Sequence, residues 1–106
     1  MKKILVLGAT GSIGTSTLDI LRNDCEDFVC CGLSANSKKE ELERLSAEFS
    51  CPSSLTKDEG IDGIKRLLDE TKPDIVVNGI AGSAGLLPSM AVLETGTDLA
   101  LANKET

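Results

Sequence analysis

Three glycines near the start of the chain have the spacing of a phosphate-binding turn. A short apolar strand, Lys3–Leu7, runs into Gly8, Gly11 and Gly14 in a GxxGxxG pattern, and a helix-forming stretch follows. Glycine lets the backbone turn tightly and leaves room for a phosphate to approach. The next helix directs unpaired N–H groups and the positive end of its dipole at an anion. The pattern predicts a site for a phosphate-bearing nucleotide, although a tight strand–helix connection without a ligand would use the same glycines.

Polar residues in two places indicate how such a nucleotide would be held. Thr10 and Ser12 lie between the glycines, where their hydroxyl and amide groups can face phosphate oxygens. After the second predicted strand, a domain that binds NAD places an Asp or Glu to hold the ribose hydroxyls. Here the segment Ser34–Lys39 has small donors and two lysines but no carboxylate. Ammonium, hydroxyl and amide groups bind a 2′-phosphate that a carboxylate would repel. We therefore predict NADP(H) over NAD(H); the alternative is that the lysines only form the solvated start of a helix.

Two later segments are further candidates for the same site. Asn78–Gly85 is rich in small residues after a buried strand, which suits either close packing or a nucleotide lying across the loop. Asn103, Lys104 and Glu105 follow the last predicted strand, where they would touch nicotinamide and substrate or simply form a solvated chain end. Position alone leaves both alternatives open.

Strands and helices alternate along the chain, and this alternation predicts how the candidate residues come together. The predicted strands are Lys3–Leu7, Phe28–Leu33, Cys51–Thr56, Ile75–Ile80 and Thr97–Ala102. The predicted helices are Thr15–Asn23, Lys38–Phe49, Asp58–Thr71 and Ala84–Thr95, with Ser37 and Glu40 in a capping-box pattern. This order predicts an α/β fold with a doubly wound parallel sheet, Rossmann-like, in strand order 3-2-1-4-5. Ligands in such sheets bind beyond the carboxyl ends of the strands, where all four candidate segments would meet.

Composition limits the possible partners. The 106 residues suit one domain, and a net charge of −6 argues against nucleic acid or an anionic membrane surface. No apolar run approaches the ~20 residues of a membrane span, and the N-terminus lacks a signal-peptide pattern. We therefore expect a cytoplasmic protein. The four cysteines, Cys25, Cys30, Cys31 and Cys51, form no CxxC pair, and there is no His, so we expect buried reduced thiols rather than a metal site or disulfide framework.

Three stretches of the chain resemble the 1-deoxy-D-xylulose 5-phosphate reductoisomerase family. They are Gly8–Asp19, Ile80–Pro88 and Leu101–Thr106, and general dinucleotide-binding domains do not share the last two. The resemblance implies an NADPH-dependent oxidoreductase of the methylerythritol phosphate route to isoprenoids. The reaction it implies is the rearrangement and reduction of 1-deoxy-D-xylulose 5-phosphate to 2-C-methyl-D-erythritol 4-phosphate, with Mg or Mn as Lewis acid.

The same resemblance implies residue roles, which we state as expectations. The cofactor phosphates would be lined by Thr10, Gly11, Ser12 and Ile13, and the adenosine 2′-phosphate would be surrounded by Asn36, Ser37 and Lys38. Asn103 and Glu105 would contact the cofactor, and Lys104 would reach the phosphosugar substrate. No residue is predicted to be catalytic or to bind the metal.

Members of this family are longer, with their metal-binding carboxylates in a later domain, and they form homodimers. The resemblance therefore implies that residues 1–106 are the NADPH-binding domain of a longer enzyme, and that this piece alone does not turn over. Two other functions remain possible interpretations of the sequence: the cofactor domain of a different NADP-dependent reductase, or a nucleotide-sensing regulatory module.

Overall fold

The predicted alternation of strands and helices is present in the protein, for which we have a computed structural model. The structure describes residues 2–23, 26–36, 38–80, 90, 92 and 98–101. The strands are β1 (Lys2–Leu7), β2 (Phe28–Ala35), β3 (Ser53–Leu55), β4 (Ile75–Asn78) and β5 (Asp98–Leu101). The helices are α1 (Ser12–Asn23), α2 (Lys39–Phe49) and α3 (Thr56–Thr71).

The five strands form one parallel sheet in the order β3-β2-β1-β4-β5, as the sequence predicts. β1 lies at the centre, and its residues Ile4–Leu7 are all buried because helices cover both faces of the sheet. Strands buried on both faces are continuous apolar runs rather than alternating ones. This explains why the first strand is so clear in the sequence.

Each face of the sheet carries its own apolar cluster. One contains Ile4, Val6 and Leu18 and includes buried residues of α1 and α2. The other contains Leu5, Leu7 and Leu67, and joins β1 to α3 and to the helical residue Val92. The predicted helix Ala84–Thr95 otherwise lies outside the described residues.

β2 contains an irregularity that the sequence does not reveal. Its pairing with β1 shifts between Ile4 and Leu5, so that Ile4 lies opposite Cys30 and Leu5 opposite Gly32. Such a bulge inserts one residue and changes which side chains share a face. As a result Cys30 and Leu33, which lie three positions apart on either side of the shift, both belong to the α1–α2 cluster, while the half-buried Cys31 packs against the α3 cluster.

Helix and strand boundaries differ from the prediction at several places. α1 begins at Ser12 rather than Thr15, and β2 continues to Ala35 rather than ending at Leu33. α3 begins at Thr56, two residues earlier than predicted, and is interrupted at Gly60, which has φ 60° and ψ −147°. Only glycine adopts that conformation readily, so this residue marks a kink between two helical segments.

The predicted capping box at α2 is wrong in its position. The residue at the N-cap is Lys38, one residue after the predicted cap, and it makes no side-chain capping hydrogen bond. Ser37 lies outside the described residues. Within those residues, no helix is long and apolar enough to cross a lipid bilayer.

Candidate cofactor-binding site

The glycine turn, residues 8–14, joins β1 to α1 at the carboxyl edge of the sheet. The Gly11 amide donates to the Gly8 carbonyl at 3.1 Å, which closes a tight turn, and the Thr15 amide donates to the Gly11 carbonyl at 2.9 Å. Because the chain reverses within four residues, the helix begins early, and the backbones of Ser12 and Ile13 belong to its first turn. The first N–H groups of a helix have no acceptor within the helix, so they are available to an anion.

Neighbouring strands hold the glycine turn in place. The Ala9 amide donates to the Ser34 carbonyl at 2.7 Å, and the Gly8 amide donates to the Ser34 hydroxyl at 3.3 Å. On the other side, the Gly79 amide donates to the Leu7 carbonyl at 2.9 Å. The ends of β1, β2 and β4 therefore meet at the turn, as the predicted topology requires.

Packing explains two of the three glycines. Gly8 has φ +73°, and a Cβ there would lie 3.0 Å from the Gly79 carbonyl carbon. A Cβ on the buried Gly14 would lie 2.1 Å from the Gly8 carbonyl oxygen, so a side chain would push α1 away from the turn. These two glycines allow the helix to lie close against the strand end.

Gly11 is different, because no contact with the described residues requires a glycine there. It is exposed, its φ is not in the left-handed region, and an added Cβ would be an ordinary 3.5 Å from the Gly8 carbonyl oxygen, its nearest neighbour among the described residues. A missing side chain at this open position leaves space beside the first turn of α1. That is where a pyrophosphate would have to approach the backbone.

The connection between β2 and α2 carries the residues predicted for the 2′-phosphate. Asn36 and Lys38 are both exposed at the carboxyl end of β2. Among the described residues from Ser34 to Lys39 there is no carboxylate. The structure therefore places donors and a cation where a dinucleotide-binding domain holds the adenosine ribose.

Thr56 is a residue of this region that the sequence did not single out. Its hydroxyl lies 3.2 Å from Asn36 Oδ1 and 3.4 Å from the Ala35 carbonyl oxygen. The Lys57 amide donates to the Asn36 carbonyl at 3.0 Å. When the Asn36 side-chain oxygen accepts from Thr56, its NH₂ group is the part left to face a ligand. The only signal for this in the sequence is that Thr56 is the last residue of the predicted third strand.

A cavity of about 190 Å³ lies beside this connection, but it is a poor site for an anion. Lys39 lines it together with three carboxylates, Glu43, Asp58 and Glu59. The Ser54 hydroxyl hydrogen-bonds to Glu59 and, with Arg66, lowers the pKa of that carboxyl, which keeps it charged. The 2′-phosphate is thus expected on the Asn36 and Lys38 side rather than in the cavity.

Asn78 has a structural role at the end of β4. Its side chain is 1% exposed, and its Oδ1 accepts a hydrogen bond from the Ile80 amide at 3.0 Å. It therefore shapes the backbone beyond Gly79, next to the glycine turn. The remaining predicted site residues, Ser37, Asn103, Lys104 and Glu105, lie outside the described residues.

A dinucleotide fits the described part of the site. The open space at Gly11, the first turn of α1 and the carboxylate-free end of β2 match the pyrophosphate and the phosphorylated ribose in turn. In the described part of the chain, no three Cys, Asp or Glu side chains are grouped so as to hold a metal ion. We therefore assign no metal ligand to these residues.

The sheet order and the glycine turn define a doubly wound, dinucleotide-binding α/β domain. Comparison with known proteins gives the family. The family model for 1-deoxy-D-xylulose 5-phosphate reductoisomerase matches residues 4–59 and 52–106. The chain belongs to this family.

Curated relatives match the sequence of this chain over 99% or more of its length. The 1-deoxy-D-xylulose 5-phosphate reductoisomerase of Treponema denticola is 43% identical over 114 residues, which cover 99% of this chain and 30% of that protein. The enzyme of the same name from Treponema pallidum is 43% identical over 111 residues, covering 100% and 30%. The chain thus spans about 30% of the length of these relatives.

Solved structures of 1-deoxy-D-xylulose 5-phosphate reductoisomerases contain the fold of this chain. A DOX-P reductoisomerase in complex with NADPH, fosmidomycin and magnesium superposes with a TM-score of 0.83 at 31% identity, covering 99% of this chain and 31% of that one. The reductoisomerase from Zymomonas mobilis in complex with NADPH gives a TM-score of 0.73 at 28% identity, covering 98% and 32%. A dihydrodipicolinate reductase at 16% identity and a TM-score of 0.73 shares the fold.

Proposed function

We propose that residues 1–106 form the NADPH-binding domain of a 1-deoxy-D-xylulose 5-phosphate reductoisomerase. In this proposal the whole enzyme rearranges 1-deoxy-D-xylulose 5-phosphate and reduces it to 2-C-methyl-D-erythritol 4-phosphate. The observation that carries the assignment to this chain is Gly11, an exposed glycine beside the first turn of α1 for which packing against the described residues gives no reason. Bound NADPH would supply the hydride.

In this proposal, two separate groups of described residues bind two different phosphate groups of the cofactor. The N–H groups at the start of α1, with Thr10, would receive the pyrophosphate. Lys38 and the Asn36 amide would receive the adenosine 2′-phosphate, through charge-assisted and neutral hydrogen bonds respectively. Since the protein carries a net charge of −6, these local donors and not the overall field must attract the anion.

The other proposed roles rest on family membership. Asn103 and Glu105 would contact the cofactor, Ser37 would join the 2′-phosphate site, and Lys104 would reach the phosphosugar. The divalent metal would be held by residues other than those assigned here. We further propose a cytoplasmic enzyme that is a homodimer in its full length, and that residues 1–106 alone bind NADPH without reducing the substrate.

Titration of the 106-residue chain with NADPH, NADH and ATP tests the cofactor assignment. We expect NADPH to bind at least about tenfold more tightly than NADH, which corresponds to about 1.4 kcal/mol from contacts with the 2′-phosphate. Lys38→Glu should remove most of that preference without weakening NADH. The matched control is Lys2→Glu, which makes the same charge change on an exposed side chain at the opposite edge of the sheet.

Equal affinity for NADPH and NADH, or a preference for ATP, would contradict the proposal. An equal effect of Lys2→Glu and Lys38→Glu would show that only the net charge matters. For the activity, consumption of NADPH is followed with 1-deoxy-D-xylulose 5-phosphate and manganese. The full-length enzyme should consume NADPH, whereas turnover by residues 1–106 alone would show that the chemistry does not need the rest of the protein.

A further inference from the structure

Two thiols that are far apart in the sequence lie together beneath α2. Cys30 is in the middle of β2, and Cys51 is in the connection between α2 and β3. Their sulfur atoms are 4.0 Å apart, within hydrogen-bonding distance for sulfur. Cys30 is 3% exposed, whereas Cys51 is only half-buried and so can be reached from solvent.

The backbone around both residues is held by hydrogen bonds, so their approach is built into the fold. The Leu33 amide donates to the Pro52 carbonyl at 3.1 Å, at the start of the β2–β3 pairing. The Cys51 amide donates to the Ser46 carbonyl at 3.1 Å, and the Ser46 hydroxyl returns a hydrogen bond to the Cys51 carbonyl. Cys30 pairs with Ile4 on the face of the α1–α2 cluster, and Cys51 packs against the same cluster.

The environment gives the two sulfurs different reactivities. The hydrogen bond accepted from Cys30 lowers the pKa of Cys51, which favours its thiolate. The same hydrogen bond and burial raise the pKa of Cys30. Since the thiolate is the reactive form, the more exposed Cys51 would react first with an oxidant, and Cys30 would be the second thiol.

We propose that Cys30 and Cys51 form a reversible intramolecular disulfide when the protein meets hydrogen peroxide. The Cys51 thiolate attacks one peroxide oxygen, the O–O bond breaks, and the leaving hydroxide takes a proton to become water. This leaves a sulfenic acid on Cys51. The Cys30 sulfur then attacks the Cys51 sulfur, the S–O bond breaks, and the departing oxygen leaves as a second water with the Cys30 proton. The two thiols are oxidised by two electrons, and one peroxide is reduced to two waters.

Little movement is needed for this bond. The sulfurs must approach from 4.0 Å to the bonded distance of about 2.05 Å, which is within the reach of side-chain rotation. The bond would enclose residues 31–50, which include all of α2 and the connection that carries Asn36 and Lys38. Excess thiol would reverse it by exchange.

Cys31 provides a matched control within the same strand. It is half-buried like Cys51, but it lies on the other face of the sheet, against the α3 cluster, and burial raises its pKa. The tested chain carries Cys25→Ser and Cys31→Ser, so that only the pair remains. The control chain carries Cys25→Ser and Cys51→Ser, which leaves Cys30 beside Cys31. Both keep the buried Cys30, and circular dichroism is used to check that both are folded.

Each chain is treated with one equivalent of hydrogen peroxide, alkylated with iodoacetamide and weighed intact by mass spectrometry. The pair chain should lose the mass of two hydrogens and take up no alkyl group, and dithiothreitol should restore two alkylations. The control should form no internal disulfide. The proposal is overturned if the pair chain remains doubly alkylated, stops at a sulfinic acid or links between molecules, or if the control forms an internal Cys30–Cys31 disulfide to the same extent.

Discussion

Replacing Gly14 and Gly11 separately by alanine distinguishes the glycine that the fold needs from the glycine that the cofactor needs. A Cβ at Gly14 would lie 2.1 Å from the Gly8 carbonyl oxygen and 2.7 Å from the Ala9 Cα. Real Cβ contacts essentially never fall below 3.0 Å, so α1 must move by at least about 0.9 Å, the difference between 3.0 and 2.1 Å. At Gly11 the added methyl group would lie 3.5 Å from the Gly8 carbonyl oxygen, its nearest neighbour in the part of the chain that the structure describes.

The expected changes in stability follow from these distances. Overpacking of this kind costs about 1–3 kcal/mol, and Gly14 is buried with backbone on the side that must yield. For a domain near this size, each kcal/mol lowers the melting temperature by about 4–8 °C. Gly14→Ala should therefore lower the melting temperature by about 4–24 °C. Gly11→Ala should change it little, because alanine is a poorer N-cap residue than glycine but reduces the conformational entropy of the unfolded chain.

Binding of NADPH should respond in a different pattern. Gly11→Ala puts a methyl group into the space proposed for the pyrophosphate, and we expect NADPH affinity to fall at least about tenfold, or about 1.4 kcal/mol. Gly14→Ala should also weaken binding, because it displaces the first turn of α1. Differential scanning calorimetry measures the melting temperatures of the two variants, and isothermal titration calorimetry measures their affinities for NADPH.

The result that refutes this reasoning is a Gly11→Ala variant that binds NADPH as tightly as the unaltered chain. In that case the space beside α1 would not be the phosphate site. A Gly14→Ala variant of unchanged melting temperature would refute the packing argument instead, since it would show that α1 can move without cost.

Three further changes test the surroundings of the site and the core. Thr56→Val removes the hydroxyl that orients Asn36 and should lower the affinity for NADPH about threefold to tenfold in titrations, while the affinity for NADH stays the same. Thr56→Ser keeps a hydroxyl and is the control that should retain binding. Arg22 lowers the pKa of Glu48 mainly by a hydrogen bond, so their contribution to stability is present above the unfolded-state pKa and is lost as pH falls through the folded-state pKa. The melting temperature of Glu48→Gln should accordingly be lower than that of the unaltered chain at neutral pH, and the two should become equal in acid. A difference in melting temperature that is the same at every pH would contradict the pairing. Leu67→Ala, at a fully buried side chain of α3, should cost about 2–5 kcal/mol in urea unfolding, and a loss below 1 kcal/mol would show a loose core.

Local patterns were enough to predict the sheet and the glycine turn at its carboxyl edge. Continuous apolar runs identified β1, β2 and β4, and the alternation with helices predicted the strand order that the structure shows. These features are local because burial on both faces needs an unbroken apolar segment. Boundaries were less accurate: α1 begins three residues before its predicted start because the Gly8–Gly11 turn closes sooner than the glycine spacing suggests.

The amino-acid sequence was sufficient for the glycine turn, for the carboxylate-free segment after β2 and for the family, because each depends on residues that are neighbours along the chain. The different surroundings of Gly11 and Gly14 came only from the fold, since both fit the same glycine pattern but only at Gly14 would an added Cβ collide with backbone atoms. The contact of Thr56 with Asn36 and the pairing of Cys30 with Cys51 likewise join residues about 20 positions apart. They depend on the register between β2 and β3 and on a bulge, which no local pattern encodes.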